Sequence, residues 1–445
     1  MAMNVERSTC AELYKFADVF SVDIVQKRCL QWIARHFTEV ASSEEFYIMS
    51  VAQLTNIISH DELDVKEEIT VWEAVVRWVQ HSREDRLHHL PSILPHIRFN
   101  LLPSDDKAAI LDHPLVRNDP GSSEVIRNVV QKWNLNLKPR LGMTTEMAIL
   151  YCGSRKLLFM NPQEGKYISC RYSREDMSKF SAMTVTSDND IYILDTEELD
   201  DDENQLSLFK YNHAKNVWEL AGVSTISHGP IHEFSHCQEL LFEVDRNLYY
   251  LAVDREIDRP LLQLRKYNQN TKQWQECSSL QLNETLCSCA TLSCGSYIYF
   301  LTNSAVYCYD SSQDRWSERT PPYIEVCTAV VMGTEIFCTD CEFTQTLVYD
   351  TESDNWQELQ GWPNPNPESL DDDSLPILFV VENQLHILLI CDSDSQEGIV
   401  HLVYVYDKST DAWRELKANM PNKEYFAPGS FSPVARMYLP HLKGT

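Results

Sequence analysis

The stretch Tyr309-Asp310-Ser311-Ser312-Gln313-Asp314-Arg315-Trp316 sets a Tyr-Asp pair seven residues ahead of a Trp, with small polar turn formers between them. The same frame recurs as Tyr211 and Trp218, Tyr267 and Trp274, Tyr349 and Trp356, and Tyr406 and Trp413, always with Asn or Asp after the Tyr. Half of the ten tryptophans fall in this frame, which argues against chance. An Asn or Asp side chain folds back onto turn backbone, so each stretch reads as strand, tight turn, strand. Successive frame tryptophans lie 56, 42, 40 and 57 residues apart. That is the period of a four-stranded propeller blade.

Upstream of each pair the rest of a blade is legible. An apolar run leads into a turn and then a short strand rich in aromatic and β-branched residues. Residues 189–194, 247–251, 295–301, 333–337 and 383–388 are the examples. A degenerate sixth copy precedes them, with Met160-Asn161 at the Tyr-Asp position and Tyr167 where Trp is expected. It offers three candidate strands, at 147–152, at 156–160 and around Tyr167, whereas residues 433–439 form a strand without a blade. Pairing these leftovers would close a ring of six and remove the open edges of an unclosed array.

On these residues the region from about 147 to 445 resembles the kelch repeat. The resemblance is specific in the Tyr-Asp to Trp half of each blade and departs at the glycine doublet after the first strand. That position here reads Asn189-Asp190, Arg246-Asn247, Gly295-Ser296, Gly333-Thr334 and Glu382-Asn383. Asn and Asp enter the left-handed region more readily than other non-glycine residues.

The first 135 residues follow a different period. Apolar positions recur at helical spacing over 10–20, 22–37, 67–79, 87–97 and 124–133. Ser59-His60-Asp61-Glu62 has the layout of a capping box. The string from Leu63 to Ala74 followed by Trp78, together with His36-Phe37, Leu94, Ile97-Arg98 and Leu101-Leu102, resembles the BACK domain that precedes kelch repeats in BTB-kelch proteins. The expected fold is therefore multidomain α and β: a BACK helical domain over 1–135, a linker over 136–146 containing Lys138-Pro139-Arg140-Leu141-Gly142-Met143, and a six-bladed kelch β-propeller over 147–445. Its first blade is expected to be closed by the C-terminal strand. Members of that family begin with a BTB domain. The chain resembles the kelch repeat and BTB domain-containing subgroup, starting within the cullin-contact helices, without that domain.

Composition points to an intracellular, cytoplasmic protein. No signal peptide or long apolar run is visible. Many of the 14 cysteines lie inside expected strands and read as buried thiols. The 66 acidic against 38 basic residues give a net charge of −28, which disfavours nucleic acid and anionic membranes as partners.

The acidity is clustered. Residues 195–203 carry seven acids in nine positions, Asp371, Asp372 and Asp373 follow one another, and Asp392, Asp394 and Glu397 add a third group. The first and third groups follow the second strand of a blade and the middle one precedes a first strand. In kelch domains, loops of these two types open on one face, where targets usually dock. Two readings stay open: a solvated acidic loop, or an acidic rim selecting a Lys/Arg-rich segment through Asp200, Asp201, Asp202, Asp371, Asp372 and Asp373. Aromatics outside the repeat frame, namely Tyr323, Phe343, Trp362, Tyr425 and Phe426, are the candidate apolar contacts, since recognition concentrates in loops.

Other features point to structure. Each repeat Trp would bury roughly 150–250 Å², or about 4–6 kcal/mol, and is expected to be core. His228, His232 and His236 are spaced by four but lie in a segment with no helical pattern. Cys338-Thr339-Asp340-Cys341 is a lone CxxC beside a strand. No Gly-rich phosphate loop or nucleophile–base pairing is legible, so no catalytic residue, metal or cofactor is expected. The resemblance implies a non-enzymatic substrate-recognition adaptor of a cullin-3 RING E3 ubiquitin ligase, dimeric through its BTB domain when full length. The chain without that domain is expected to be monomeric. The alternative is a kelch scaffold for cytoskeletal or vesicle proteins without ubiquitin transfer.

Overall fold

At the hairpin between Tyr309 and Trp316 the Asp310 carboxylate accepts the N–H groups of Ser312 at 2.8 Å and Gln313 at 3.2 Å. Asn268, Asp350 and Asp407 make the corresponding bonds in their own repeats. The Ser312 hydroxyl and N–H hold Asp310 below the usual carboxylate range. Asp314, four residues on, has φ near +49° and accepts the Tyr309 hydroxyl at 2.7 Å and the Ser278 N–H at 2.7 Å. Asp354 repeats this with Tyr349 at 2.6 Å and Thr320 at 3.0 Å. The Trp316 and Trp356 indole N–H groups donate to the carbonyls of Ser278 at 2.8 Å and Thr320 at 2.9 Å. Ser278 and Thr320 belong to the segments leaving the preceding blade. These two repeats thus close their own turns and clamp their predecessors.

The computed structural model describes residues 10–131, 137–152, 156–171, 180–197, 205–213, 215, 217–222, 226–227, 237–254, 259–286, 289–302, 304–340, 345–359, 376–392, 399–417, 420, 425–427 and 431–442. Six antiparallel sheets form the blades of a six-bladed β-propeller. In the fourth, strands Ala290–Cys294, Tyr297–Leu301, Val306–Asp310 and Arg315–Arg319 pair in sequence order. The sheet containing the degenerate copy instead runs Val434–Met437, Thr145–Cys152, Lys156–Asn161, Lys166–Arg171, so the last strand is its innermost. Met160 lies opposite Tyr167 there, as Tyr lies opposite Trp elsewhere. Asn189 of the second blade bonds both backbone polar groups of Arg436, at 2.8 and 2.7 Å, across the seam to the first.

The propeller's apolar cores lie between blades. Leu292, Tyr299, Ile336 and Tyr349 share one such core, and Leu150, Met160, Phe379 and Leu388 another. The repeat tyrosines are at most 9% exposed. Of the five repeat tryptophans only Trp218 is as buried, at 8%, while Trp274, Trp316, Trp356 and Trp413 are half-buried. The expectation that the repeat tryptophans are core thus holds fully for Trp218 alone, the other four being only partly buried. Trp sits on the blade's outer strand and covers the Tyr ring, with centroids 4.9–5.4 Å apart. The turns lacking glycine remain left-handed at Asn189, Asp245, Arg246, Glu382 and Asn383, so even Arg and Glu occupy this region.

The helical unit ends near Thr145. Its longer helices are Cys10–Val19, Asp23–Arg35, Val51–Ser59, Ile69–His81, Ser104–Asp112 and Pro120–Gln131. The capping box is at Ser50 and Gln53, which exchange bonds of 3.2 and 3.1 Å and start the third of these helices. Ser59 ends that helix instead of starting another, because its hydroxyl donates back to the Thr55 carbonyl at 2.5 Å. The stretch read as a linker is folded into this unit. Arg140 is fully buried, and its guanidinium takes both Glu68 carboxylate oxygens at 2.5 and 2.6 Å and the Ile58 carbonyl at 2.7 Å. Glu68 also accepts the Arg98 N–H at 2.8 Å. Gly142 lies so close to the neighbouring loop that a Cβ would stand 2.5 Å from the Val65 nitrogen. No described helix is long and apolar enough to cross a membrane.

Candidate protein-docking surface

Antiparallel pairing sends alternate connections of a blade to opposite edges of the ring. Loops between second and third strands, and those joining blades, therefore open at one edge. Tyr323, between Arg315–Arg319 and Thr328–Met332, is 59% exposed there. Phe426, 47% exposed, exchanges backbone hydrogen bonds of 2.9 Å with Tyr151 at the same edge of the first blade. Its neighbour Tyr425 is different. It is 2% exposed, packs with Leu150, Phe379 and Leu388, and stands 5.6 Å from the His401 ring. Tyr425 is core and offers no contact surface, a correction that follows from strand alternation: one of two adjacent residues points inward.

Asp195, at the start of the first acidic run, is 1% exposed within the strand Ile191–Glu197. Asp200, Asp201, Asp202, Phe343, Trp362, Asp371, Asp372 and Asp373 lie outside the described residues, as do His228, His232, His236 and Cys341. Cys338 is fully buried, its thiol pushed up by burial and bonded to the Leu347 carbonyl at 3.7 Å, so it is a packing residue. Among the described residues no three His, Cys, Asp or Glu side chains gather as a metal site.

One surface escaped the reading of the sequence. The helix Cys10–Val19 buries Cys10, Tyr14 and Ala17 on one side. On the other it exposes Phe16 by 54% and Val19 by 68%, continued by Phe20 at 63% and Ile24 at 73%. The Phe16 and Phe20 rings lie tilted against each other with centroids 4.4 Å apart. A contiguous apolar ridge of this kind marks an interaction surface. The signal was present in the sequence, since 16, 19 and 20 are apolar at i, i+3 and i+4 beside a second apolar stripe, and a helix apolar all round packs on two sides.

The family model for BACK, "BTB And C-terminal Kelch", matches residues 10–110. Human kelch repeat and BTB domain-containing protein 2 is 24% identical over 453 aligned residues, covering 92% of this chain and 70% of the relative. Kelch repeat and BTB domain-containing protein 8 of Xenopus tropicalis is 23% identical, over 94% of this chain and 71% of its own length. Zebrafish (Danio rerio) kelch-like protein 3 is 35% identical over a shorter stretch, 25% of this chain and 19% of that protein. The chain belongs with the BTB-BACK-kelch proteins. As a BTB-BACK-kelch chain it joins a helical BACK domain to a propeller suited to holding another protein.

Proposed function

We propose that this chain is the target-capturing part of a cullin-3 RING E3 ubiquitin ligase, without catalytic chemistry of its own. The observation that carries the reading is the helix Cys10–Val19, which buries Cys10, Tyr14 and Ala17 in the helical core and still exposes Phe16 and Val19. The ridge of Phe16, Val19, Phe20 and Ile24 is the surface through which the helical unit joins the ligase side, with a BTB domain and cullin-3. The propeller loop edge, with Tyr323 and Phe426, takes the target.

The target segment is basic. Asp200, Asp201, Asp202, Asp371, Asp372 and Asp373 steer it, with Phe343 and Trp362 as further apolar contacts. Rim charges act mainly on association rate and are screened beyond about 8 Å at physiological salt. Replacing both Asp triplets with Asn should slow capture and flatten its salt dependence, and a target indifferent to both changes would remove the electrostatic part of the reading.

Proximity labelling of the full-length gene product, with and without inhibition of cullin neddylation and of the proteasome, tests the whole. Cullin-3 among the labelled proteins, with targets that accumulate under both inhibitors, is the expected result. Labelled cytoskeletal or vesicle proteins whose abundance ignores the inhibitors, with cullin-3 absent, would favour a scaffold. Phe16→Asp with Phe20→Asp should lose cullin-3 and keep the targets.

A further inference from the structure

Four repeats of the propeller carry Glu two residues after the frame tryptophan: Glu276, Glu318, Glu358 and Glu415. All four are exposed on the outermost strand of their blade. A charge at that place guards a strand whose outer edge has no neighbour, because it opposes pairing with another chain. The first blade has Ser169 at this position, and the second has Leu220. Leu220 is 57% exposed, and Val217 on the same strand, Val217–Leu220, is 44% exposed.

The register brings this residue to the surface. Met183, Ile193, Phe209 and Leu220 lie opposite one another across the four strands of the second blade. The first three are buried, and the apolar row leaves the sheet at Leu220. Ala221 donates its N–H to the Leu208 carbonyl at 2.8 Å, so alternation turns the N–H and C=O of Leu220 away from the sheet. Among the described residues no strand pairs with the outer side of Val217–Leu220. Glu219 lies on the other face of the strand and accepts the Asn212 amide at 3.1 Å.

We propose that the outer edge of the second blade takes up an extended segment of a partner protein as an added strand. Main-chain bonds then supply affinity, and alternate side chains supply specificity. The cross-strand neighbours define that segment: an apolar residue opposite Leu220 and Lys or Arg opposite Glu219. A second copy of this chain does not meet those terms. Val217–Leu220 holds no cation to set against Glu219. A strand pair of that length also buries far less than the roughly 1,200 Å² of a stable interface. The site is separate from the target-capturing loop edge, and neither reading fails with the other.

The probe is the capped peptide amide Thr-Val-Lys-Val-Thr, titrated into the full chain and read by amide hydrogen exchange. It should slow exchange in Val217–Leu220 saturably and leave the guarded strand Arg315–Arg319 unchanged. Leu220→Glu, which restores the charge of the other repeats, should raise the half-saturating concentration about tenfold or more, the loss expected when a leucine contact is removed. The peptide Thr-Val-Glu-Val-Thr, which sets like charges opposite one another, should bind several-fold more weakly than the Lys peptide. Protection unaltered by Leu220→Glu, equal protection of Arg315–Arg319, equal binding of the two peptides, or no saturable protection at millimolar peptide would each overturn the proposal. So would a dimer of the chain that Leu220→Glu dissolves, because the edge would then belong to a second copy. An unchanged denaturant midpoint in the variant, as expected for a surface change, would show that the blade itself is intact.

Discussion

The helical unit and the propeller solve burial of polar groups in opposite ways. In the helical unit the cost is concentrated, because one carboxylate, Glu68, holds the fully buried guanidinium of Arg140 and the backbone N–H of Arg98. In the propeller it is distributed: Asp314, Asp354 and Asp411 each sit at the surface and receive a buried Tyr hydroxyl at 2.6–2.7 Å. A concentrated hub is sensitive to a single change. A distributed set puts a modest load on each copy, and the repeat can drift, as it does in the first blade.

The largest effect should therefore come from the hub. Glu68→Gln leaves Arg140 charged and buried without a counter-charge, and breaking a buried pair in this way costs about 3–5 kcal/mol. Amide exchange should speed up across Val51–Ser59 and Ile69–His81 and stay unchanged in the propeller strands. Equal protection in both proteins would mean that the hub is not where the helical unit's stability is concentrated.

In the propeller the burial difference within one repeat makes a sharper test. Tyr309 is 1% exposed and Trp316 half-buried. Tyr309→Ala should cost about 3–5 kcal/mol, as for a large core aromatic, and Trp316→Ala roughly 2 kcal/mol, since part of its area is already in water. Denaturant unfolding of the two variants decides the order. The reverse order would return the tryptophan to the centre of the repeat.

This contrast also explains what the sequence could disclose. The Tyr-to-Trp frame was legible because its turn chemistry is local, spanning two or three residues from Asp310. The partner of Asp314 was not, because Ser278 lies 36 residues away and no spacing rule reaches it. Arg140 and Glu68 are 72 residues apart, and a Lys-Pro-Arg-Leu-Gly run between domains carries every mark of a spacer. The Ser-x-x-Glu/Gln pattern of a capping box fits both Ser50 with Gln53 and Ser59 with Glu62, and local sequence does not separate the helix start from the helix end. At the docking edge, local sequence separated neither buried Tyr425 from exposed Phe426 nor the inward Asp195 from the acids after it, since strand phase decides both.

A single-site effect also exists in the propeller, and it is visible in acid. His386 is fully buried, stacks on Phe379 at 5.1 Å, and is pushed down from 6.5 to about 4 by burial, with the Arg414 charge assisting. Below pH 6.5 the unfolded chain takes a proton that the folded chain refuses. Stability from this residue is complete above that pH and is lost as pH falls towards 4, by roughly 3 kcal/mol in all. His386→Gln should flatten this part of the pH–stability curve. A wild-type curve no steeper than that of the variant between pH 6.5 and 4 would place the charged histidine in water.

The smallest expected change is a gain, and it tests whether the propeller's left-handed turns carry strain. Asp245 and Arg246 occupy consecutive left-handed positions, φ +48° and +61°, at the turn between Cys237–Val244 and Asn247–Asp254. Two such residues define the hairpin turn whose twist matches the strands, and glycine suits its second position. Left-handed backbone costs an ordinary residue about 1–2 kcal/mol, and glycine returns part of that gain through its larger unfolded-state entropy. Arg246→Gly should thus stabilise the propeller by roughly 0.5–1 kcal/mol, read as a higher denaturant midpoint at unchanged slope. Asp245→Gly relieves the same strain but removes the carboxylate that binds Ser296 and Ser311 across the blade seam, so it should not stabilise. If both variants gained equally, the seam contact would contribute nothing. If neither gained, the turn would be relaxed without glycine, and the missing glycine doublets would carry no cost in this chain.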